Sequence, residues 1–472
     1  MTRRSEASAP KVALLTGGSG FLGGYVLEHL LERDYHVIAL LRKRIIYGRK
    51  PGKVKRVIPA SARVEVLAEK FGLDAEAKRR LHVVEGDLAS MDPARVEGEI
   101  RRILRDEIVH HTIEIAINCA GRLTMDYEGQ DPEQRAAIQK RNHETNVGGV
   151  ARLLETFERL ERPAGAPHPR PAPDLPLIRI IRPSIIAGRA SSDALMAFLR
   201  YGETGYGPLN LSNLGRALAR LLPADIVIPF PGNPKGIADI IDVEDVVDVL
   251  KVLIRRDVQE VRGRIPTIEG GISLGILHQV STCYVHGERT GRLTETPLPP
   301  REEVRPKNSY EATKAQAERM LEEWSQKRWD EMRQHPGLAA GASDATGRPA
   351  IRYNQIANPQ AYNFQDNLRE TLRALDWPES TLEKFRLFPP GPRYDEALAK
   401  LRRGAPLGSK VLDGIWKRLP MLETYMFRAD RTSFSVDNTC RLLDEEGRRY
   451  EPKRPTAAWV RESLLGRAPR RR

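Results

Sequence analysis

KVALLTGGSGFLGGYVLEHLLERDYHVIALLR, from Lys11 to Arg42, decides the fold. Val12–Leu15 is a short continuous apolar run of strand length. Gly17, Gly20 and Gly23 follow at G-x-x-G-x-x-G spacing. Leu22, Val26 and Leu30 then recur at helical spacing, with Leu27 and Leu31 beside them, and Val37–Leu41 is a second strand of the fully buried kind. A glycine triplet alone is often only a turn. Flanked by a strand, an amphipathic helix and a second strand, it marks a βαβ unit whose turn lets a dinucleotide pyrophosphate approach the backbone at a helix N-terminus.

The end of the second strand refines the cofactor. A site for NAD places Asp or Glu about twenty residues on, for the ribose 2′-hydroxyl. This chain has Arg42, Lys43 and Arg44 there. A guanidinium suits a 2′-phosphate and serves a hydroxyl poorly, so the expected cofactor is NADP; the competing reading is a solvated basic loop.

At 472 residues the chain exceeds one ordinary core. The expected division is an NADP-binding sheet domain over 1–350, with substrate-site insertions around 189–237, and a smaller, mostly helical substrate region over 351–472. Cys119, Cys283 and Cys440 form neither a disulfide framework nor a metal cluster, which points to a reducing, cytoplasmic compartment. No apolar run has transmembrane length, and the N-terminal MTRRSEASAP has no signal-peptide core. A net charge of +13 can attract nucleic acid, an anionic membrane surface or a phosphorylated substrate. No basic helix with interleaved aromatics supports nucleic acid, and the basic tail ending in Arg470–Arg472 reads as solvated disorder, with an acidic carrier protein or peripheral membrane contact as the alternative.

Further strands are expected at Leu81–Val84, before Gly86-Asp87-Leu88, and at Ile113–Ile117, before Asn118-Cys119-Ala120-Gly121. Arg141–Phe157 has helical periodicity and carries Asn146. Past a Pro-rich join at Arg162–Pro176, Leu177–Ile181 is strand-like and leads into Arg182-Pro183-Ser184. Pro229–Lys235 reads as a turn, and Ala238–Leu253 as a strand or loop entering a helix. Ile276–Val280 runs into Ser281-Thr282, Asn308–Glu323 is helical, and Ile351–Tyr353 suits one more strand. Leu338–Arg348 is a linker candidate, and the chain from Asn367 onward looks largely helical. Alternating strands and helices with short joins describe an α/β fold, a doubly wound, parallel, Rossmann-type sheet.

Tyr310 and Lys314 lie four apart and share a helix face. A tyrosine titrates near pH 10 on its own, and a neighbouring ammonium favours its phenolate, so the pair can move a proton nearer neutrality. A hydroxyl such as that of Thr282 can donate to a carbonyl oxygen that gains charge on hydride attack. His36, His82, His278 and His286 have no ligand spacing, so no metal is expected; Trp416 and Trp459 read as packing residues.

As a set, Thr16-Gly17-Gly18-Ser19-Gly20-Phe21-Leu22-Gly23, Gly86-Asp87-Leu88, Asn118-Cys119-Ala120-Gly121, Asn146, Ile181-Arg182-Pro183-Ser184-Ile185, Asp239–Val243, Val280–Gly287 and Tyr310-x-x-x-Lys314 resemble an extended short-chain dehydrogenase/reductase. Within that group the chain resembles the fatty acyl-CoA reductase and thioester-reductase branch. Tyr425–Leu443 resembles, less specifically, the region that closes acyl-CoA reductases. The resemblance implies Tyr310 as proton donor, Lys314 as its partner and Thr282 as the catalytic hydroxyl, with Ser281 in reserve. It implies cofactor contacts from Thr16, Gly17, Gly20, Phe21, Leu22, Gly23, Arg42, Asp87, Leu88, Asn118, Ala120, Asn146, Pro183 and Lys314. The implied reaction is NADPH-dependent reduction of an acyl-CoA or acyl-carrier thioester to an aldehyde or alcohol.

In that family the Ser/Thr strand and the Tyr-Lys helix precede the Arg-Pro-Ser strand. Here they follow it by about a hundred residues, as if segments 166–256 and 257–332 had changed places. An active site then requires the strand ending at Val280 to insert between those ending at Asn118 and Pro183. The rivals are a sugar-nucleotide epimerase or dehydratase of the same superfamily, and a catalytically silent NADP-binding protein.

Overall fold

The computed structural model describes residues 9–47, 54–163, 176–188, 222–334, 351–410 and 432–461, apart from 125, 127–130, 224, 235, 238, 266–267, 269, 362, 375, 390, 407–408 and 455. Most of the insertion expected around 189–237, the Leu338–Arg348 linker, Trp416, the first part of Tyr425–Leu443 and the basic tail lie outside the described residues.

Seven strands make one parallel sheet: β1 (Lys11–Thr16), β2 (Tyr35–Leu41), β3 (Leu81–Glu85), β4 (Thr112–Asn118), β5 (Leu177–Pro183), β6 (Ser273–Val280) and β7 (Ile351–Ile356). Their order is β7-β5-β6-β4-β1-β2-β3. β6 therefore does insert between β4 and β5. Gln279 is in register with Asn118 on one side and Ile180 on the other. The two exchanged segments thus assemble into adjacent strands whose carboxyl ends meet. β7 forms the outer edge beside β5, so the sheet continues past residue 350.

Both faces are covered, which is why the strands are continuous apolar runs with little alternation of polarity. On one face Ala13, Leu15, Val37 and Ile276 pack beneath α1 (Phe21–Glu32) and α4 (Val243–Val261). On the other, Val12, Leu14, Ile38 and Leu277 pack beneath α3 (Gly148–Glu161) and α5 (Ser309–Arg333), with α3 contributing Val150, Leu153 and Phe157 and α5 contributing Ala317, Leu321 and Trp324, and α2 (Pro132–Asn146) lies against both helices. α6 (Asp437–Glu445) closes the β7 end of the first face with Leu442 and Leu443.

Three local readings change. The helical stretch Arg141–Phe157 is two helices parted at Val147, where α2 ends and α3 begins. Pro229–Lys235 is not only a turn, because Ile228–Pro231 is a strand paired with Phe385–Phe388. Its prolines alternate, so the N–H groups of Ile228 and Gly232 still donate to Lys384 and Phe388 while Pro229 and Pro231 need no partner. The region after Asn367 accordingly holds strands as well as helices.

β5 and α5 are locked by an ion pair. Arg182 and Glu318 are both fully buried, and the Arg182 Nη2 donates to Glu318 Oε2 at 2.6 Å. Arg182 Nη1 also donates to the Thr296 carbonyl, and its guanidinium stacks 4.8 Å from the Tyr353 ring of β7. Glu318→Ala leaves that cation buried without its counter-charge. It should lower the unfolding free energy by about 3–5 kcal/mol in chemical denaturation.

Candidate active site

The glycine turn is shaped by contact with β4. Gly17 has φ +72°, and a Cβ there would lie 2.6 Å from the Ala120 nitrogen. Gly20 donates its N–H to the Gly17 carbonyl at 2.7 Å and forms the N-cap of α1. No side chain caps that end, and its first turn holds no acidic residue. The unsatisfied N–H groups and the positive end of the helix are thus open to an anion. This cradle fits a dinucleotide pyrophosphate. Gly17, Gly20, Phe21, Leu22 and Gly23 all stand at it; Phe21 and Leu22 open α1, with Leu22 buried.

A buried chain of hydrogen bonds crosses the next strands. The Thr16 hydroxyl donates to Asn118 Oδ1. Asn118 Nδ2 donates to Gln279 Oε1 at 2.8 Å, and Gln279 Nε2 donates to the Val280 carbonyl at 3.0 Å. Lys314 Nζ donates to the same carbonyl at 3.0 Å. The Ala120 N–H returns to Asn118 Oδ1 at 3.2 Å.

Helix α5 is seated by a matching pair of contacts. Asn142 and Asn146, four apart on α2, donate from Nδ2 to Ser309 Oγ at 2.8 Å and Thr313 Oγ1 at 3.0 Å, also four apart. The Ser309 N–H donates to Asp126 Oδ1, and Asn308 caps α5 by accepting from the Glu311 N–H. This sets the rotation of the first two turns of α5, where Tyr310 and Lys314 stand. Asn146 also accepts the Arg122 N–H and donates to the Arg122 carbonyl, so its amide is committed to the loop and to α5.

Thr282, Tyr310 and Lys314 come together at the carboxyl edge of β6. Burial raises the Tyr310 phenol well above its ordinary value, and a hydrogen bond with the Thr282 side chain partly offsets that. The phenol is therefore a proton donor in the resting protein. Burial pushes the Lys314 ammonium down to about 8, with Cys119 and Glu318 opposing. A Cβ on Gly121 would stand 2.9 Å from Lys314 Nζ, so the glycine gives the end of the lysine its room beside the groove. The Cys119 thiol is pushed up to about 12, chiefly by burial, and stays neutral. Ser281 is buried, with its N–H on the Ile181 carbonyl and no partner for its hydroxyl among the described residues.

The remaining expected contacts line the same edge. Asp87 is half-buried after β3 and turns its chain by accepting from the Ala89 N–H; Leu88 is buried behind it. Arg42 is exposed at the end of β2, and Pro183 ends β5. Gln279, Arg122 and Thr313 are not among the residues singled out from the sequence. Only their spacing from Val280, Ala120 and Tyr310 links them to the quoted motifs. Among the described residues no group of three or more His, Cys, Asp or Glu could hold a metal ion, and no helix is long and apolar enough to cross a membrane.

Residues 15–160 match a family described as male sterility protein. No curated protein sequence matches the chain. Similar solved structures include the terminal R domain from the myxalamid PKS-NRPS biosynthetic pathway, at 14% identity and TM-score 0.45, covering 96% of this chain and 89% of that one. They also include a yeast methylglyoxal/isovaleraldehyde reductase complexed with NADPH, at 13% identity and TM-score 0.27, covering 56% of this chain and 77% of that one. UDP-glucose 4-epimerase from Bifidobacterium longum, in complex with NAD+ and UDP, stands at 14% identity and TM-score 0.28, covering 57% and 77%.

Gly17→Ala places a methyl group on the Ala120 backbone at a positive φ, and neither can yield cheaply. Coenzyme binding, followed by fluorescence of the reduced nicotinamide, should fall by at least about tenfold, as expected for loss of about 1.4 kcal/mol or more. The seven-stranded parallel sheet, covered on both faces, is thus a Rossmann-type fold, and its first part, residues 15–160, is similar to the male sterility protein family.

Proposed function

We propose that the protein is an NADPH-dependent reductase of fatty acyl thioesters, acting on an acyl-CoA or an acyl carrier and releasing an aldehyde, with onward reduction to an alcohol open to the same site. The observation that carries this reading is the insertion of β6 between β4 and β5, which brings Thr282, Tyr310 and Lys314 to the glycine turn despite the order of the segments. The family segment over 15–160 supports the thioester branch. Arg42 favours the phosphorylated coenzyme. Residues beyond β7, together with the 189–237 stretch, are proposed to shape the acyl site, and a cytoplasmic setting suits three unpaired thiols.

When bound, the coenzyme supplies the hydride. Gly17, Gly20 and the N-terminus of α1 hold its pyrophosphate, and Lys314 holds the ribose on the nicotinamide side. One Lys314 N–H is engaged by Val280, which leaves two for ribose hydroxyls. The thioester carbonyl oxygen takes hydrogen bonds from Thr282 and Tyr310, which stabilise the charge that develops on it. Tyr310 delivers its proton to that oxygen, and the ammonium of Lys314 stabilises the phenolate left behind. Collapse of the resulting hemithioacetal expels the thiol and leaves the aldehyde.

Coenzyme oxidation at 340 nm (the usual wavelength for NADPH) with a panel of acyl-CoAs tests the reading directly. Acyl-dependent oxidation is expected, and Tyr310→Phe should reduce kcat by about a hundredfold or more while coenzyme affinity changes little. Tight NADPH binding with no turnover on any thioester would select the silent nucleotide-binding rival. A second expectation concerns pH. Lys314 carries its proton below about 8, so kcat should fall as pH rises through that value. The same group does not destabilise the fold there. Its folded value lies below the ordinary 10.5, so between about 8 and 10.5 the unfolded chain binds more protons and this contribution to stability rises with pH. A kcat that falls above pH 8 without a matching fall in melting temperature is the expected pattern; a flat profile to pH 10 would remove the ammonium from the mechanism.

A further inference from the structure

Beyond Arg42, the groove holds a second cation placed for an anion. Thr16 is in register with Leu40 on β2 and with Asn118 on β4. Arg42 and Arg122 therefore leave the same edge of the sheet on either side of the glycine turn, about 10 Å apart in strand spacing. Leu41 is in register with Glu85, which puts Asp87 on the far side of Arg42. The backbone of Arg122 is gripped at both N–H and carbonyl by Asn146, at 2.8 and 3.2 Å, so the root of its side chain is fixed.

The side chain itself lacks a protein acceptor where it most needs one. Arg122 Nε is buried with no hydrogen-bond partner among the described residues. The fully buried arginines end on acceptors, Arg179 on Asp257, Arg182 on Glu318 and Arg328 on Glu161, whereas the half-buried Arg122 shares an unpartnered Nε with Arg80 and Arg369. A buried N–H left without an acceptor carries a desolvation cost that a bound anion would remove. Two more cations add to that cost. After burial, Arg141 and then Arg42 push the Arg122 guanidinium below its ordinary range, with only Asp87 opposing. Neither Arg42 nor Arg141 forms an ion pair with a carboxylate among the described residues. Three like charges gathered against the single carboxylate of Asp87 leave an excess of positive charge suited to an anion of more than one charge.

We propose that Arg122, backed by Arg141 and facing Arg42 across the turn, is a second holder of the adenosine ribose 2′-phosphate and a determinant of preference for the phosphorylated coenzyme. The assignment rests on the NADPH reading above. It names a phosphomonoester on adenosine, a chemistry that the 3′-phosphate of coenzyme A shares. The place beside Asp87 and the glycine turn favours the coenzyme's 2′-phosphate.

Dissociation constants of NADPH and NADH for the full chain, with 2′,5′-ADP and 3′,5′-ADP as competing probes, separate the cases. Arg122→Gln should weaken NADPH and 2′,5′-ADP by about tenfold or more and leave NADH within about twofold. Arg122→Lys, which keeps the charge, should recover much of the loss. Its melting temperature checks that the fold survives. Unmutated protein that binds NADH as tightly as NADPH would overturn the coenzyme reading itself. A preserved preference for NADPH in Arg122→Gln, or equal weakening of both coenzymes, would overturn only the role given to Arg122. Loss confined to 3′,5′-ADP would transfer the site to the coenzyme A moiety and overturn the 2′ assignment.

Discussion

The path from Thr16 through Asn118 and Gln279 to the Val280 carbonyl and Lys314 holds the site together. Its members lie on three neighbouring strands and one helix, and all are buried. In such surroundings each partner left unsatisfied carries a desolvation cost, so the chain tolerates only one register among β1, β4 and β6. A slip of β6 by one residue would also turn its side chains to the opposite faces of the sheet. The same bonds that align the strands thus fix the distance between the glycine turn and the ammonium.

Helix α5 answers to a second constraint of the same kind. Asn142 and Asn146 meet Ser309 and Thr313 with equal spacing, so helical pitch alone sets the match. Tyr310 and Lys314, one residue further on, inherit their direction from it. Arg182 and Glu318 then fasten the following turn to β5. Positioning of the proton donor is shared among polar contacts far from its own hydroxyl, as preorganised sites require.

Much of this was legible in the amino-acid order. Val12–Leu15, the glycine spacing, Val37–Leu41 and Ile276–Val280 all lie in elements of the expected type, because continuous apolar runs between short turns have few alternatives in a sheet covered on both faces. Thr282, Tyr310 and Lys314 do converge. Other features were not readable for definite reasons. Val147 interrupts a helix whose periodicity runs on across the break. The Ile228–Pro231 strand is hidden by prolines that sit where no ladder bond is needed. Gln279 matters through Asn118, 161 positions away, and Arg122 through Asn146, 24 positions away, and local pattern does not register such distances.

The insertion of β6 between two strands made earlier has a consequence for how the chain comes to be folded. Until residue 280 emerges, β4 and β5 are made but not joined, and each has an open edge facing the other. Such edges are templates for pairing with other chains. The strand that fills the gap pairs with β4 across more than 150 positions of sequence, a long-range closure that slows folding. The polar chain running through Gln279 rewards only the correct filler, so the chemistry of the groove also acts as the seal on a sheet completed from the inside.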